Sequence, residues 1–154
     1  MIGLSVAIDE NKGIGINSSL PWHIKEELQL FKKNTLNQNI IMGRTTYENL
    51  PSKLKDRNIF VVSSHKRNYP DDIKLINDFQ SFLEEHQNDE QIYIVCGGSS
   101  IYRQAYSYCK FAYLSIVKGK YEVDTYFDIF DFDDWNIVEQ KQYDKFTYYN
   151  LMKK

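Results

Sequence analysis

Glu27 is the residue whose surroundings most suggest chemistry. It lies in the run Leu20-Pro-Trp22-His-Ile24-Lys-Glu-Glu27-Leu28-Gln-Leu-Phe31. Pro21 marks a loop end, and helical periodicity follows. With Ile24 at zero on a wheel of roughly 100° per residue, Leu28 and Phe31 fall within about 40° of it. They form an apolar stripe. Glu27 lies about 60° away, on the stripe's edge, whereas Glu26 points to roughly 200°, into water. A carboxylate facing apolar side chains needs a partner or a raised pKa. Trp22, Leu28 and Phe31 would then line a flat slot with one acid at its rim, suited to a planar, nitrogen-rich ring. The plainer alternative is a surface glutamate whose stem lies along the core edge. His23 and Glu27 share a helical ligand spacing, but no third ligand accompanies them, so no metal is expected.

A second group of residues sits where strands end. Gly43-Arg44-Thr45-Thr46 and Gly97-Gly98-Ser99-Ser100 each follow a short apolar strand and open a helix. Backbone N–H groups and the helix dipole favour phosphate at such turns, and glycine lets a ligand approach the backbone closely. Ser63-Ser64-His65-Lys66-Arg67 ends another strand, and with Arg44 could hold a further phosphate by charge. Three anion-friendly points on one edge fit a dinucleotide carrying an extra phosphate. Read separately, Gly97-Gly98 could be a plain turn and the basic residues a solvated loop. The aspartates between Asp124 and Asp134 lack the glycine and terminal glutamate of a calcium loop, so a solvated loop with aromatic anchors is expected there. No Gly-x-Ser-x-Gly or P-loop pattern occurs.

These residues need elements to hold them. Strands are predicted at 2–8, 39–43, 59–63, 73–76 and 91–96, and helices at 24–34, 44–50, 79–86 and 99–108. Residues 9–19, with Gly13 and Gly15, read as a loop. The C-terminal third reads as strands over 111–117, 135–142 and 145–152. Continuous apolar runs alternating with helices imply a parallel sheet covered on both faces. The expected class is α/β: a twisted, mostly parallel sheet of about eight strands with an antiparallel C-terminal edge, flanked by about four helices. In such sheets ligands bind beyond the carboxyl ends of the strands.

Composition limits the rest. The chain of 154 residues suits one domain, 1–154. A hydrophobic fraction of 42% and a charged fraction of 26% are ordinary for a globular protein. A formal charge of −2 gives no general pull toward nucleic acid or anionic membrane. Cys96 and Cys109 form neither a zinc pattern nor a disulfide framework, and read as reduced thiols. The opening Met-Ile-Gly-Leu-Ser-Val-Ala-Ile lacks a basic leader and reads as a first strand. No apolar run is long enough to span a membrane. A cytoplasmic location follows as the expectation.

Taken in order along the chain, these motifs resemble the dihydrofolate reductase family. Its pattern appears as Gly13-Ile14-Gly15, Leu20-Pro-Trp22, Glu27-Leu28, Phe31-Lys32, Ile41-Met-Gly-Arg-Thr-Thr46, Arg57, Gly97-Gly98 with Ile101-Tyr102, and Asp124-Thr125. The match keeps its spacing from Met1 to about Phe127 and is looser beyond. The resemblance implies hydride transfer from NADPH to C6 of dihydrofolate, with protonation of N5. With no long exposed apolar edge calling for a partner, a monomer is expected. It makes Glu27 the acid that binds the pterin amino group and N3 side and promotes protonation, with a water as final donor. Trp22 would orient a water beside it. Val6, Ala7, Leu28, Phe31, Leu50 and Leu54 would line the substrate slot. Arg57 would grip the glutamate α-carboxylate. The Cys96 carbonyl would face the pterin amine, and Ser115 would reach Glu27 through water. On the cofactor side the resemblance implies Ala7, Ile14, Gly15, Leu20, Gly43, Arg44, Thr45, Thr46, Ser63, Ser64, His65, Gly97, Gly98, Ser99, Ser100, Tyr102 and Thr125. Residues 9–20 would form a mobile loop closing over the nicotinamide.

Some positions depart from the family pattern. Lys25 stands where proline is common, and Pro51-Ser52-Lys53 replaces a glycine-basic-proline turn. Ser100 stands where some members carry an arginine near the 2′-phosphate, a loss that His65, Lys66 or Arg67 could offset. Ser5 places a polar side chain in the first strand without an evident reason. Two rival readings share parts of the pattern. A pyrimidine reductase of riboflavin synthesis would keep the cofactor edge but would not require Trp22, Glu27 and Arg57 together. A non-catalytic nucleotide-binding module would gain nothing from an acid on an apolar face.

Overall fold

The computed structural model describes residues 1–15, 20–65 and 68–154. Its elements, in chain order, are β1 (Ile2–Ile8), β2 (Gly13–Gly15), α1 (Lys25–Thr35), β3 (Asn39–Gly43), α2 (Arg44–Glu48), β4 (Asn58–Val62) and β5 (Ile73–Ile76). There follow α3 (Phe79–His86), β6 (Tyr93–Val95), α4 (Ser99–Ala105), β7 (Cys109–Val117), β8 (Thr125–Tyr126), β9 (Trp135–Gln142) and β10 (Phe146–Lys153). Single 3-10 turns occupy Tyr106–Tyr108 and Phe132–Asp134.

Eight strands form one sheet in the order β5-β4-β3-β6-β1-β7-β10-β9. The six from β5 to β7 pair in parallel, and β10 and β9 complete the sheet antiparallel. The expected α/β class is the one observed. The parallel strands therefore share one carboxyl edge, where β1, β3, β4, β6 and β7 all end. Strands β2 and β8 form a separate two-stranded ladder. The sequence reading placed both in loops, because segments of three and two residues carry no readable alternation. Gly13 suits this place: a Cβ there would lie 2.7 Å from Val123.

Local chemistry explains most of the other boundaries. Ile24 is extended and caps α1, so the helix starts one residue later than its periodicity suggests. Acidic Glu26 and Glu27 in its first turn, and Lys32 and Lys33 in its last, complement the helix dipole. In α3, Asp78 caps the helix by accepting from the Ser81 N–H. Helix α4 tightens to a 3-10 turn after Ala105, and β6 is shorter than predicted.

The sheet buries a different cluster on each face. One face packs Ile2, Leu4, Val6 and Ile8 with Phe79, Leu83, Ile101, Tyr102 and Phe127. The other carries Ile40, Met42, Ile94 and Phe111, joined by Leu50, Leu54 and Cys96. Beside them lie Trp22, Ile24, Val117, Phe146 and Tyr148, against which Ala7 and Leu30 pack. Tyr113 contributes to both of these groups, so α1 and the 50–54 segment share a sheet face. Phe127 and Phe130 are buried anchors of the aspartate-rich loop, as expected.

Candidate active site

The candidate site gathers at the carboxyl edge, where α1 and the 50–54 segment pack on one sheet face. Its first-strand contribution follows from pairing. Ala7 sits opposite Ser115 across β1 and β7. Consecutive strand residues face opposite ways, so Ala7 turns toward α1 while Val6 joins the cluster behind the sheet. Val6 can therefore reach the slot only through its backbone, which separates two neighbours that the sequence reading grouped together.

Glu27 is half-buried in the first turn of α1. Burial raises its pKa above the usual carboxylate range, and a side-chain hydrogen bond from Ser115 partly offsets the rise. Ser115 lies opposite Ala7 in the pairing of β1 and β7, on the sheet face that α1 covers. Leu28 is 40% exposed, and Phe31 is half-buried. Both are less buried than Ile24 at the start of the stripe, which is core. Trp22 is buried, with its ring edge-on to Tyr121 at 5.3 Å. Its Nε1–H is a buried donor with no partner among the described residues. Burial pushes the Cys96 thiol up to about 12, so this cysteine is inert as a nucleophile.

Arg57 lies at the far end of α1, and its orientation is fixed. Its Nε donates to Thr35 Oγ1 at 3.2 Å and its Nη1 to the Lys55 carbonyl at 2.7 Å. Thr35 is fully buried and donates in turn to the Phe31 carbonyl at 2.7 Å. The Asn37 N–H donates to the Asp56 carbonyl at 2.7 Å, pinning the segment before β4 against the end of α1. The sequence reading missed Thr35. A polar residue continuing the 24-28-31 stripe to position 35 was the available signal.

The glycine turns after β3 and β6 meet at the same edge. The Gly43 N–H donates to the Gly97 carbonyl at 2.9 Å. The Gly97-Gly98 peptide is cis. Gly97 has φ +126°, where glycine is favoured. A Cβ on Gly98 would stand 3.2 Å from Thr46 Oγ1. Both helices here begin at a glycine with no side-chain cap, leaving first-turn N–H groups for another partner. Tyr102 is buried below, donating to the Ser5 carbonyl at 2.8 Å. Burial first, then the fields of Cys96 and Glu27, raises its pKa well above the ordinary value and keeps it neutral.

The remaining cofactor candidates divide. Arg44 pairs with Glu48 at 3.2 Å on α2, beside exposed Thr45. Ser63 is buried, and its hydroxyl both donates to the His65 carbonyl and accepts the His65 N–H. That hydroxyl shapes the turn, while Ser64 and His65 are exposed beyond it. Ser100 accepts from Gln104 along the outside of α4. Ile14 and Gly15 are buried in β2, with Gly15 opposite Thr125, and Leu20 is exposed. Residues 16–19 of the expected closing loop, and Lys66 and Arg67, lie outside the described residues. Asp9 also escaped the sequence reading. It is 1% exposed, and its carboxylate accepts from the N–H groups of Asn11, Gly13 and Tyr121, building the turn into β2.

A family-wide sequence model described as dihydrofolate reductase matches residues 1–152. The chain belongs to the dihydrofolate reductase family. The dihydrofolate reductase of Mycoplasma genitalium is 39% identical over 140 residues, covering 87% of this chain and 86% of the relative. That of Ureaplasma parvum is 36% identical over 147 residues, covering 93% and 92%. In fold, the chain is similar to a dihydrofolate reductase from Enterococcus faecalis complexed with NADP(H) and RAB-propyl. That structure has a TM-score of 0.86 at 24% identity, and the match covers 99% of this chain and 96% of the other. Among the described residues, no helix is long and apolar enough to cross a membrane.

Proposed function

We propose that this chain is an NADPH-dependent dihydrofolate reductase. It would reduce 7,8-dihydrofolate to 5,6,7,8-tetrahydrofolate by hydride transfer to C6 with protonation of N5. The observation that carries the reading is Glu27. A desolvated acid with a raised pKa, on the helix stripe that carries Leu28 and Phe31, suits proton chemistry on a flat nitrogen heterocycle.

Each residue's part follows from its place. Glu27 accepts from the pterin amino group and N3 side, and its raised pKa keeps a proton available at higher pH than an ordinary glutamate would. The buried Trp22 N–H suits a donor that orients a water beside that carboxylate. Ala7, Leu28, Phe31, Leu50 and Leu54 exclude solvent from the ring, with the Val6 backbone and the Cys96 carbonyl at its edge. Arg57, held by Thr35, pairs with the substrate's α-carboxylate. NADPH, when bound, supplies the hydride. The glycine cradle fits it: a side chain on Gly97 or Gly98 would occupy the space against Thr46 and Tyr102. Gly43, Thr45, Thr46, Ser99, Ser100 and Tyr102 would hold its phosphates and ribose, and Arg44, Ser64 and His65 its 2′-phosphate. Ile14, Gly15, Leu20 and Thr125 would hold its nicotinamide end.

The chain acts as one domain and as a monomer, without nucleic acid. Its two free thiols suit a reducing cytoplasm. The test is NADPH oxidation, followed by near-ultraviolet absorbance with and without dihydrofolate. A rapid, dihydrofolate-dependent loss of signal is expected. NADPH binding without turnover would overturn the reductase reading.

A further inference from the structure

Whatever holds the first turn of α4 also holds the Gly97-Gly98 cradle. The inner face of that helix is fixed by the burial of Ile101, Tyr102 and Ala105. Its outer face meets β8 through Arg103. The Arg103 Nε donates to Ser99 Oγ at 3.4 Å, and its Nη2 donates to the Tyr126 carbonyl at 3.3 Å. The same guanidinium is ion-paired with Asp128. Ser99 Oγ donates to that same Tyr126 carbonyl at 3.2 Å. Tyr126 pairs with Gly13 in the β2–β8 ladder. The ladder is closed on either side by bonds from Asp124 N–H to the Gly15 carbonyl (2.9 Å) and from Phe127 N–H to the Lys12 carbonyl (2.8 Å). One guanidinium thus joins the glycine turn to β8, the strand paired with β2.

We propose that Arg103 is a positioning residue for the cofactor site, bracing the start of α4 against the β2–β8 ladder with Asp128 as its counter-ion. The inference rests on the reading of this edge as the NADPH site. Ser99 commits its hydroxyl proton to Tyr126 and a lone pair to Arg103, so it offers a phosphate its backbone N–H alone. The direction of that N–H is set by the brace. An exposed ion pair adds little to folding stability. Its consequence here is geometric, because it joins segments 25 residues apart, the helix that opens at Gly98 and the stretch that continues the strand paired with β2.

Arg103→Met keeps the side-chain stem and removes the donors. The expected result is a rise of about threefold to tenfold in the NADPH Kd, read by tryptophan fluorescence quenching. The dihydrofolate KM should stay within about twofold, and the melting temperature should barely move. Arg103→Lys, which can still pair with Asp128, should recover part of the NADPH affinity. Asp128→Asn makes the same comparison from an exposed position should Arg103→Met not fold. Variants that bind NADPH like the wild type, or that weaken dihydrofolate equally, would overturn the brace. A wild-type protein that does not bind NADPH would overturn the cofactor reading itself, a result distinct from normal wild-type binding with indifferent variants.

Discussion

At the scale of single residues, Glu27 carries a cost that sets its pH behaviour. Its pKa is raised in the folded chain, so the unfolded chain gives up the proton first. Stability is therefore full below the unfolded value, near 4.5, and is eroded as pH rises through the folded value. Glu27→Gln removes the charge and should lose most turnover at pH 7 while melting no lower than the wild type. The two melting curves should converge below about pH 4.5, as parallel thermal scans across pH would show. A variant with near-normal turnover would remove Glu27 from its role. At the other end of α1, Arg57→Ala should raise the dihydrofolate KM by about 10- to 100-fold with a smaller effect on kcat. Thr35→Val, which deletes the hydroxyl holding Arg57, should raise it by about fivefold. A dihydropterin without the glutamate should be insensitive to both changes, and steady-state kinetics on the two substrates separate anchoring from general damage.

At the scale of elements, α1 works as a ruler. Glu27 and Thr35 are eight residues apart, about 12 Å along a helix axis, which sets the separation between the acid and the arginine that Thr35 holds. The sheet behind it depends on close packing that tolerates little change. A Cβ on Gly3 of β1 would enter the Phe111 ring on β7. Gly3→Ala should cost about 1–3 kcal/mol, measured by urea unfolding, with both KM values unchanged because the contact is remote from the candidate site. An unaltered midpoint would show that Phe111 can shift aside. Helix α1, strand β1 and the glycine turns were readable because each repeats a local period or carries a local breaker. The β2–β8 ladder was not readable, since neither strand is long enough to show a period and each is defined by the other.

At the scale of the whole molecule, the sheet ends at β9, an open edge bearing Val138, which is 61% exposed. That edge is irregular, because the register shifts between Asn150 and Leu151 opposite Glu139 and Ile137. A bulge and the charges of Glu139 and Lys141 discourage edge-to-edge pairing. The proposed cofactor site draws on the ends of β3, β4 and β6 and on both short helices, so binding there should tie the sheet together. NADPH at about 100 times its Kd stabilises by about 2.7 kcal/mol. For a chain of this size that raises the melting temperature by about 5–10 °C. NADH at the same concentration should give less, because Arg44 and His65 then have no 2′-phosphate to hold. Equal shifts in a thermal scan would misplace that phosphate site.

The sequence by itself determined the α/β class, the acid on an apolar helix edge and the glycine turns at strand ends. Each of these is written in neighbours a few residues apart, where periodicity and backbone freedom act. It also held enough of a family's spacing to indicate the chemistry. Tertiary structure alone decided that Arg57 is aimed by Thr35, 22 positions away, that Ala7 comes to lie opposite Ser115, and that Arg103 ties α4 to β8. These contacts depend on strand order and on which loop closes against which. Such choices are fixed by how the whole chain buries its apolar surface, and no local pattern carries them.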